Sequence, residues 1–296
     1  MSVKLITDST SYIPEELIKK YDIKVVSLSV TINNKNFREV DLDNIEFYKM
    51  MESSNEIPIS SQPSLDEMCE AMMKCVSEGN EVLCIFISSK MSGTFSSAHI
   101  AKEMVLEKYL EARIAKEMVL EKYPEARIEI IDSFTNCMQM GYEVIEGAKY
   151  AYEGASMDEV MKKVIHVRDN SRFLFVPHTL KYLQKGGRIG RASALLGGIL
   201  QIRPILTVEN GETTVFEKVR TKKKAVDSIV NKVMEECTEK QAGGVIVHHI
   251  NCEDEGKELA ERLSRELNIP VNIQSIGPVI GVHVGPGSIG VAYFTL

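Results

Sequence analysis

Short apolar runs alternate with helix-period segments from Val3 to Asp169, and this alternation limits the available folds more than any other feature of the chain. Val3 to Ile6 reads as a strand, Pro14 starts a helix to about Tyr21, and Ile23 to Val30 reads as the next strand. A helix from Ser64 to Glu78, a strand from Glu81 to Ile87, a helix from Gly93 and a strand from Arg127 to Asp132 follow, then helices over Gln139 to Glu153 and Met157 to Asp169. Strands separated by helices imply a mainly parallel sheet covered on both faces, a three-layer α/β/α domain. Ligands of such sheets sit beyond the carboxyl ends of strands, where Asp8 to Ser11 and Ser88 to Ser92 fall.

From Arg172 the texture changes. Phe173 to Val176 is a strand and Thr179 to Gln184 a short helix, followed by the basic glycine loop Lys185 to Arg191. Ala194 to Leu200 reads as an apolar helix, and Asn210-Gly211 between the strands Ile205 to Val208 and Thr214 to Val219 is a strong hairpin signal. A helix after Lys224, a strand at Gly244 to Ile250, a helix from Glu253 to Asn268, a strand at Val271 to Ile276 and a Gly-rich ending complete the chain. With 296 residues, more than one core usually holds, the expected organisation is an N-terminal α/β domain over residues 1–170 and a C-terminal α+β domain over 171–296.

A tandem duplication interrupts this plan: Ala101 to Ile114 recurs as Ala115 to Ile128, with Leu110 where the second copy has Pro124. Repeating 14 residues advances a helix by about 1,400°, about 40° short of whole turns, so the apolar faces of the two copies nearly coincide. Leu110 also removes the proline that would stop the helix. The expectation is one helix from about Thr94 to Tyr123, overhanging the sheet by roughly 21 Å. A looped-out second copy is the alternative if the overhang cannot bury its apolar face.

Three segments carry candidate chemistry. The turn Ser88 to Ala98 leads from a strand into a helix, and a helix start suits an anion, although Ser92 or Thr94 also suits a plain N-cap. Ser64 with Glu67 fits a capping box, which leaves the hydroxyls of Ser60 and Ser61 unexplained in an extended segment before Pro63. His283 is framed by Gly281, Gly285 and Gly287, so a backbone or ligand can approach its ring, whereas His166 and His248-His249 read as ordinary histidines and His178 as a weaker cleft candidate. Two basic clusters, Lys185 to Arg191 and Arg220 to Lys224, stand out in a chain of net charge −7 and suit a phosphate-bearing ligand, an acidic partner or simply solvent.

Other classes are disfavoured. The negative charge argues against general nucleic-acid binding, and no stretch reaches the length of a membrane span, so a soluble cytoplasmic protein without membrane insertion is expected. Six cysteines form no CxxC pair and read as reduced, mostly buried thiols. No GxSxG, P-loop or HExxH motif occurs, so ATP or metal binding by the chain alone is not expected, although Ser92, His283 and Asp8 could in principle assemble as a triad.

The segments Thr7 to Tyr12 with Pro14, Ser60 to Ser64, Ser88 to Thr94, Lys185 to Ile189, Val219 to Lys223 and Gly277 to His283 together resemble the DegV family of bacterial lipid-binding proteins, in order along the whole chain. The resemblance implies two α/β domains with a long-chain, palmitate-like fatty acid between them, no catalytic residue and no cofactor. It also implies, as in some members, service as the acyl-carrying subunit of a two-component fatty acid kinase that feeds phospholipid synthesis. By the same resemblance Ser60 and Ser92 bind the carboxylate, with Ser60 replacing the family's frequent Thr. His283 is the nearby imidazole, and Arg188 and Arg220 dock on the kinase. Candidate walls of the acyl tunnel are Met91, Phe95, Leu195, Leu196, Ile199 and Leu200, with Gly197-Gly198 as a movable segment, and plain core packing competes at each. The rival functions are a serine-dependent acyl hydrolase or transferase using Ser92 and His283, and a carrier of another small anionic lipid.

Overall fold

A computed structural model describes residues 2–54, 56–117, 125–196 and 202–296. In chain order the first elements are β1 (Val3–Asp8), α1 (Glu15–Tyr21), β2 (Lys24–Val26), β3 (Ser29–Ile32), β4 (Lys35–Arg38), α2 (Asn44–Ser53), β5 (Ile59–Ser61) and α3 (Leu65–Ser77). Next come β6 (Glu81–Phe86), α4 (Thr94–Glu117), β7 (Ile128–Asp132), α5 (Cys137–Tyr152), α6 (Met157–Asp169), β8 (Ser171–Val176) and α7 (Lys181–Lys185). The chain ends with β9 (Arg203–Glu209), β10 (Glu212–Val219), α8 (Lys222–Lys240), β11 (Ala242–Ile250), α9 (Glu253–Leu267), β12 (Asn272–Ser275), α10 (Pro278–Val284) and β13 (Ser288–Thr295).

The alternating half builds a four-stranded parallel sheet in the order β2-β1-β6-β7. Its strands are buried on both faces, as their continuous apolar runs require. Met68 and Met72 of α3 and Ala98, Ala101 and Val105 of α4 cover one face; α5 and α6 cover the other, through residues such as Met140, Val144, Val160 and Val164. Because β1 is followed by β2 on one side and joined by β6 on the other, the crevice at its carboxyl end is the switch point of the sheet.

All six strands of the second, mixed sheet, β10-β9-β8-β13-β11-β12, lie after residue 170. Helices α8 and α9 bury one face of it, with Ile229, Val233, Leu259 and Leu263. Its other face contributes Phe173, Phe175, Ile246 and Ala292 to a core that continues into β1, β6 and α5. The two halves thus share apolar core along their junction. Asn210 and Gly211 both have positive φ, 49° and 82°, the geometry of the tight turn that joins β9 to β10.

Several local expectations are corrected. The strand expected over Ile23 to Val30 is two strands: β2 stays in the parallel sheet, while β3 leaves it for a three-stranded antiparallel sheet, β4-β3-β5. The break falls at Ser27 and Leu28, whose N–H groups donate to Glu67 Oε1 (3.0 Å) and Ser9 Oγ (3.1 Å) instead of to a ladder. That diverts Glu67 from its expected capping box, so Ser64 Oγ accepts from the Glu67 N–H while the Glu67 carboxylate serves Ser27 and Arg38. The Gly-rich ending is in fact helix α10 and the central strand β13. Glycines hid both elements but are required sterically: a Cβ at Gly281 would lie 2.0 Å from Tyr48 Oη. Of the apolar helix expected over Ala194 to Leu200, Ala194 and Leu195 instead end a 3-10 turn spanning Gly190–Leu195, and residues 197–200 lie outside the described residues. Helix α4 runs through the junction of the two repeat copies to Glu117; the rest of the expected helix, to Tyr123, lies outside the described residues.

Candidate functional site

Three segments remote in sequence meet at one cavity of about 200 Å³ at the junction of the halves. Strand β5 brings Ser60, because Ser60 pairs with Val30 on the edge of the small sheet. The turn before α4 brings Ser92 and Gly93, and α10 brings His283. Gly93 permits the first two to meet, since a Cβ there would lie 2.3 Å from Gln62 Oε1, the residue that follows β5 closely.

Ser60 Oγ and His283 Nε2 are hydrogen-bonded at 2.8 Å. His283 is half-buried, and its pKa is pushed down to about 4, first by burial and then by the positive charge of Arg188. The imidazole is therefore neutral near pH 7, with one nitrogen able to donate and the other to accept. Its Nδ1 has no hydrogen-bond partner and faces Gly186, where a Cβ would come within 2.2 Å. Glycine at position 186 is thus what lets the basic loop close over the ring.

Ser92 has two roles at once. Its Oγ accepts from the Thr94 N–H at 3.3 Å, shares a 2.8 Å hydrogen bond with the buried Thr94 hydroxyl, and lines the cavity. The cap and ligand-facing readings therefore fall on the same side chain. Arg188 also lines the cavity from its exposed loop, donating from Nε to the Met91 carbonyl (3.0 Å) and from Nη1 to the Gly186 carbonyl (2.6 Å). Arg220 is exposed between β10 and α8 and does not line this cavity.

Most of the apolar wall comes from residues that the sequence reading did not assign to it. Leu28, Ile87, Phe173, Phe175, Val279 and Ile280 supply it, with Phe173 and Phe175 stacked at 5.1 Å between centroids. Of the expected tunnel residues, Met91 lines the cavity. Phe95 instead packs edge-on against His99, Leu195 packs on the core behind the cavity, and Leu196 is 38 % exposed. Ile199 and Leu200 lie outside the described residues. His178 is exposed, and His248 is a fully buried core histidine, held neutral by burial and accepting at Nε2 from the Met138 N–H.

Sequence reasoning missed Asn136. It sits between the carboxyl end of β7 and α5, is buried, lines the cavity, and leaves Oδ1 without a hydrogen-bond partner while Nδ2 contacts Met91 Sδ. The rule that ligands gather beyond strand ends marks this position as surely as it marks Ser92.

The triad envisaged from Ser92, His283 and Asp8 is not assembled. Asp8 is buried and spent on backbone and hydroxyl donors: Ile87 N–H at 2.8 Å, Thr10 N–H at 2.9 Å and Thr10 Oγ1. His283 bonds to Ser60, and no carboxylate orients its Nδ1. Among the described residues no group of His, Cys, Asp or Glu could hold a metal ion, no helix is long and apolar enough to cross a membrane, and all six cysteines are free.

Comparison with known proteins agrees along the whole length. A family model described as "Uncharacterised protein, DegV family" matches residues 2–296. A DegV domain-containing protein of Clostridium acetobutylicum is 50% identical over 295 residues, covering 100% of this chain and 98% of the relative. The solved structure of DegV from Bacillus subtilis, described as a fatty acid binding protein, superimposes with a TM-score of 0.86 at 30% identity over 100% of both chains. A stearic acid-binding protein from Eubacterium ventriosum gives 0.85 at 26% identity, covering 99% of this chain and 98% of that one.

Proposed function

The chain belongs to the DegV family, and from that premise we propose that it binds a long-chain fatty acid, with the carboxylate at Ser60, Ser92 and His283 and the acyl chain along the Phe173–Phe175 wall. The observation that carries this reading is the Ser60–His283 hydrogen bond in a cavity that joins polar side chains, Ser92, Asn136 and Arg188 among them, to an apolar wall that includes Phe173, Phe175 and Ile280. When Nε2 of the neutral ring holds the proton, it donates to Ser60 Oγ, and the Ser60 hydroxyl proton is left to donate to a carboxylate oxygen. Ser92 offers a second hydroxyl, and the start of α4 and the Arg188 guanidinium favour negative charge nearby.

The two ends of such a ligand contribute differently. Burying methylenes yields about 0.8 kcal/mol each, on the order of 10 kcal/mol gross for a long chain. Hydrogen bonds to the carboxylate add roughly 1.5–3 kcal/mol each and offset its desolvation. The tail thus supplies affinity and the head fixes direction.

We further read the protein as the cytoplasmic, substrate-carrying subunit of a fatty acid kinase in phospholipid synthesis. In that role a separate ATP-dependent subunit transfers the γ-phosphoryl group to a carboxylate oxygen, giving acyl phosphate and ADP. Arg188 and Arg220, both exposed, are the docking residues in this reading. The Ser60–His283 contact also favours one rival, acyl transfer through Ser60, but the ring lacks the orienting acid of a nucleophilic triad.

Mass spectrometry of lipid extracted from the purified protein tests the first reading: one fatty acid per chain is expected, lost or reduced about tenfold in Ser60→Ala and Ser92→Ala. Absence of fatty acid from the wild type overturns it, and a burst of product from an acyl ester supports the hydrolase. Arg220→Ala should keep the fatty acid and lose acyl-phosphate formation with the kinase.

A further inference from the structure

A buried carboxyl links the two sides of the candidate carboxylate site without lining the cavity. Glu39 follows β4, and its Oε1 accepts from the N–H of Val279, in the first turn of α10, at 2.9 Å. The same oxygen accepts from Tyr12 Oη at 3.0 Å, while Oε2 accepts from Ser9 Oγ at 2.5 Å. Ser9 Oγ in turn accepts from the Leu28 N–H at 3.1 Å, and the Glu39 N–H donates to the Leu28 carbonyl at 2.9 Å. Leu28 lines the cavity directly before β3, the strand on which Ser60 is paired. One side chain therefore fixes both the segment that leads to Ser60 and the helix that carries His283.

We propose that Glu39 is a positioning residue: its carboxyl ties the start of α10 to the Ser9–Leu28 segment and so holds His283 within hydrogen-bonding reach of Ser60. This inference rests on the reading of Ser60 and His283 as the carboxylate site. The titratable groups that face Glu39 are Asp8, Tyr12, Tyr48 and Cys137, all of them acids. With no cation among them, burial pushes the Glu39 carboxyl up to about 7, so the neutral form is well populated in the folded chain. A glutamine keeps the acceptor for Val279 and gives Ser9 a donor, and should serve almost as well.

The test is a double-mutant cycle read by palmitate affinity, together with ¹⁵N NMR of the His283 ring. Glu39→Ala should weaken palmitate binding about tenfold, Glu39→Gln should stay within about threefold of wild type, and Glu39→Ala should add less than about twofold to His283→Ala. In Glu39→Ala the His283 Nε2 resonance should move toward that of Ser60→Ala, because the same hydrogen bond is lost. If Glu39→Ala fails to fold, Gly277→Ala takes its place: the added methyl would lie 2.6 Å from Glu39 Oε1 and displace the carboxyl from α10. Penalties of Glu39→Ala and His283→Ala that multiply, a glutamine variant as weak as the alanine, or an unmoved His283 signal would each overturn the positioning role. The NMR arm needs no ligand, so wild-type protein that does not bind palmitate would overturn the reading of the site, and the His283 signal alone would then decide the role of Glu39.

Discussion

Two sets of polar groups, Asp8 with Glu39 behind the cavity and His283 with Asn136 in its lining, are satisfied very differently. Each carboxylate oxygen of Asp8 and Glu39 accepts at least one hydrogen bond from a backbone N–H or a hydroxyl. His283 Nδ1 and Asn136 Oδ1 have no hydrogen-bond partner. Buried polar groups left unsatisfied cost stability, and the fold satisfies Asp8 and Glu39 although other buried groups, such as both carboxyl oxygens of Glu143 and Thr7 Oγ1, have no hydrogen-bond partner. With the proton on His283 Nε2, both His283 Nδ1 and Asn136 Oδ1 are acceptors, so a carboxylate would be met by the hydroxyls of Ser60 and Ser92 rather than by them. Asp8 should therefore matter chiefly to folding, Glu39 both to folding and to the placement of His283, and His283 chiefly to binding.

The largest expected effect tests the scaffold side. Asp8→Ala strands the Ile87 and Thr10 N–H groups in the interior and should lower unfolding stability by about 3–5 kcal/mol, with Asp8→Asn recovering only part, because its single amide oxygen can accept from one of the two N–H groups. Urea unfolding measures this, and a loss below about 1 kcal/mol would erase the distinction between the two sets.

The pH dependence of stability sharpens it further. Glu39, at about 7 in the folded chain against an ordinary value near 4.5, keeps its proton where the unfolded chain has lost it. Its contribution therefore makes stability fall as pH rises from about 4.5 to 7 and then level off, by up to about 3 kcal/mol. Asp8, raised to about 6 by burial, acts in the same direction. His283 and His248, depressed to about 4 and about 3, act in the opposite one: they stay neutral in the fold, so their contribution is lost as pH falls below about 6.5. The difference between wild type and Glu39→Gln isolates the Glu39 slope. Equal slopes in the two proteins would mean that this carboxyl titrates normally.

The smallest effect lies outside both sets. Leu196→Ala removes a side chain that is 38 % exposed and outside the cavity lining, and should change stability by less than about 0.5 kcal/mol and palmitate affinity not at all. A tenfold loss of affinity would return this segment to the tunnel wall.

Legibility followed how local each signal is. Strands β1, β6 and β7 and helices α3, α5 and α6 were readable because an apolar period and a cap are written in adjacent residues. The split between β2 and β3 was not, because Leu28 gives up ladder pairing for the hydroxyl of Ser9, a partner set by tertiary packing. Helix α10 and strand β13 were hidden for a different reason. Their glycines weaken any local helix or strand signal, yet each is demanded by a neighbour elsewhere in the chain, Tyr48 against Gly281 and Phe175 against Gly290. Asn136 escaped notice because nothing beside it in sequence distinguishes it from an ordinary N-cap.

The sequence by itself determined the parallel α/β half, the hairpin at Asn210-Gly211, the continuation of α4 across the repeat junction and, through resemblance, membership of the DegV family. Only the tertiary structure decided which hydroxyl meets the imidazole, that Arg188 stands at the cavity rim, and that Phe173 and Phe175 join Met91 in the apolar wall. Ser60 and His283 are 223 residues apart, and their 2.8 Å contact exists because β5 pairs with β3 while Glu39 and Tyr48 bind the backbone where α10 begins. Such a contact depends on the summed packing of distant elements, which no local period or cap encodes.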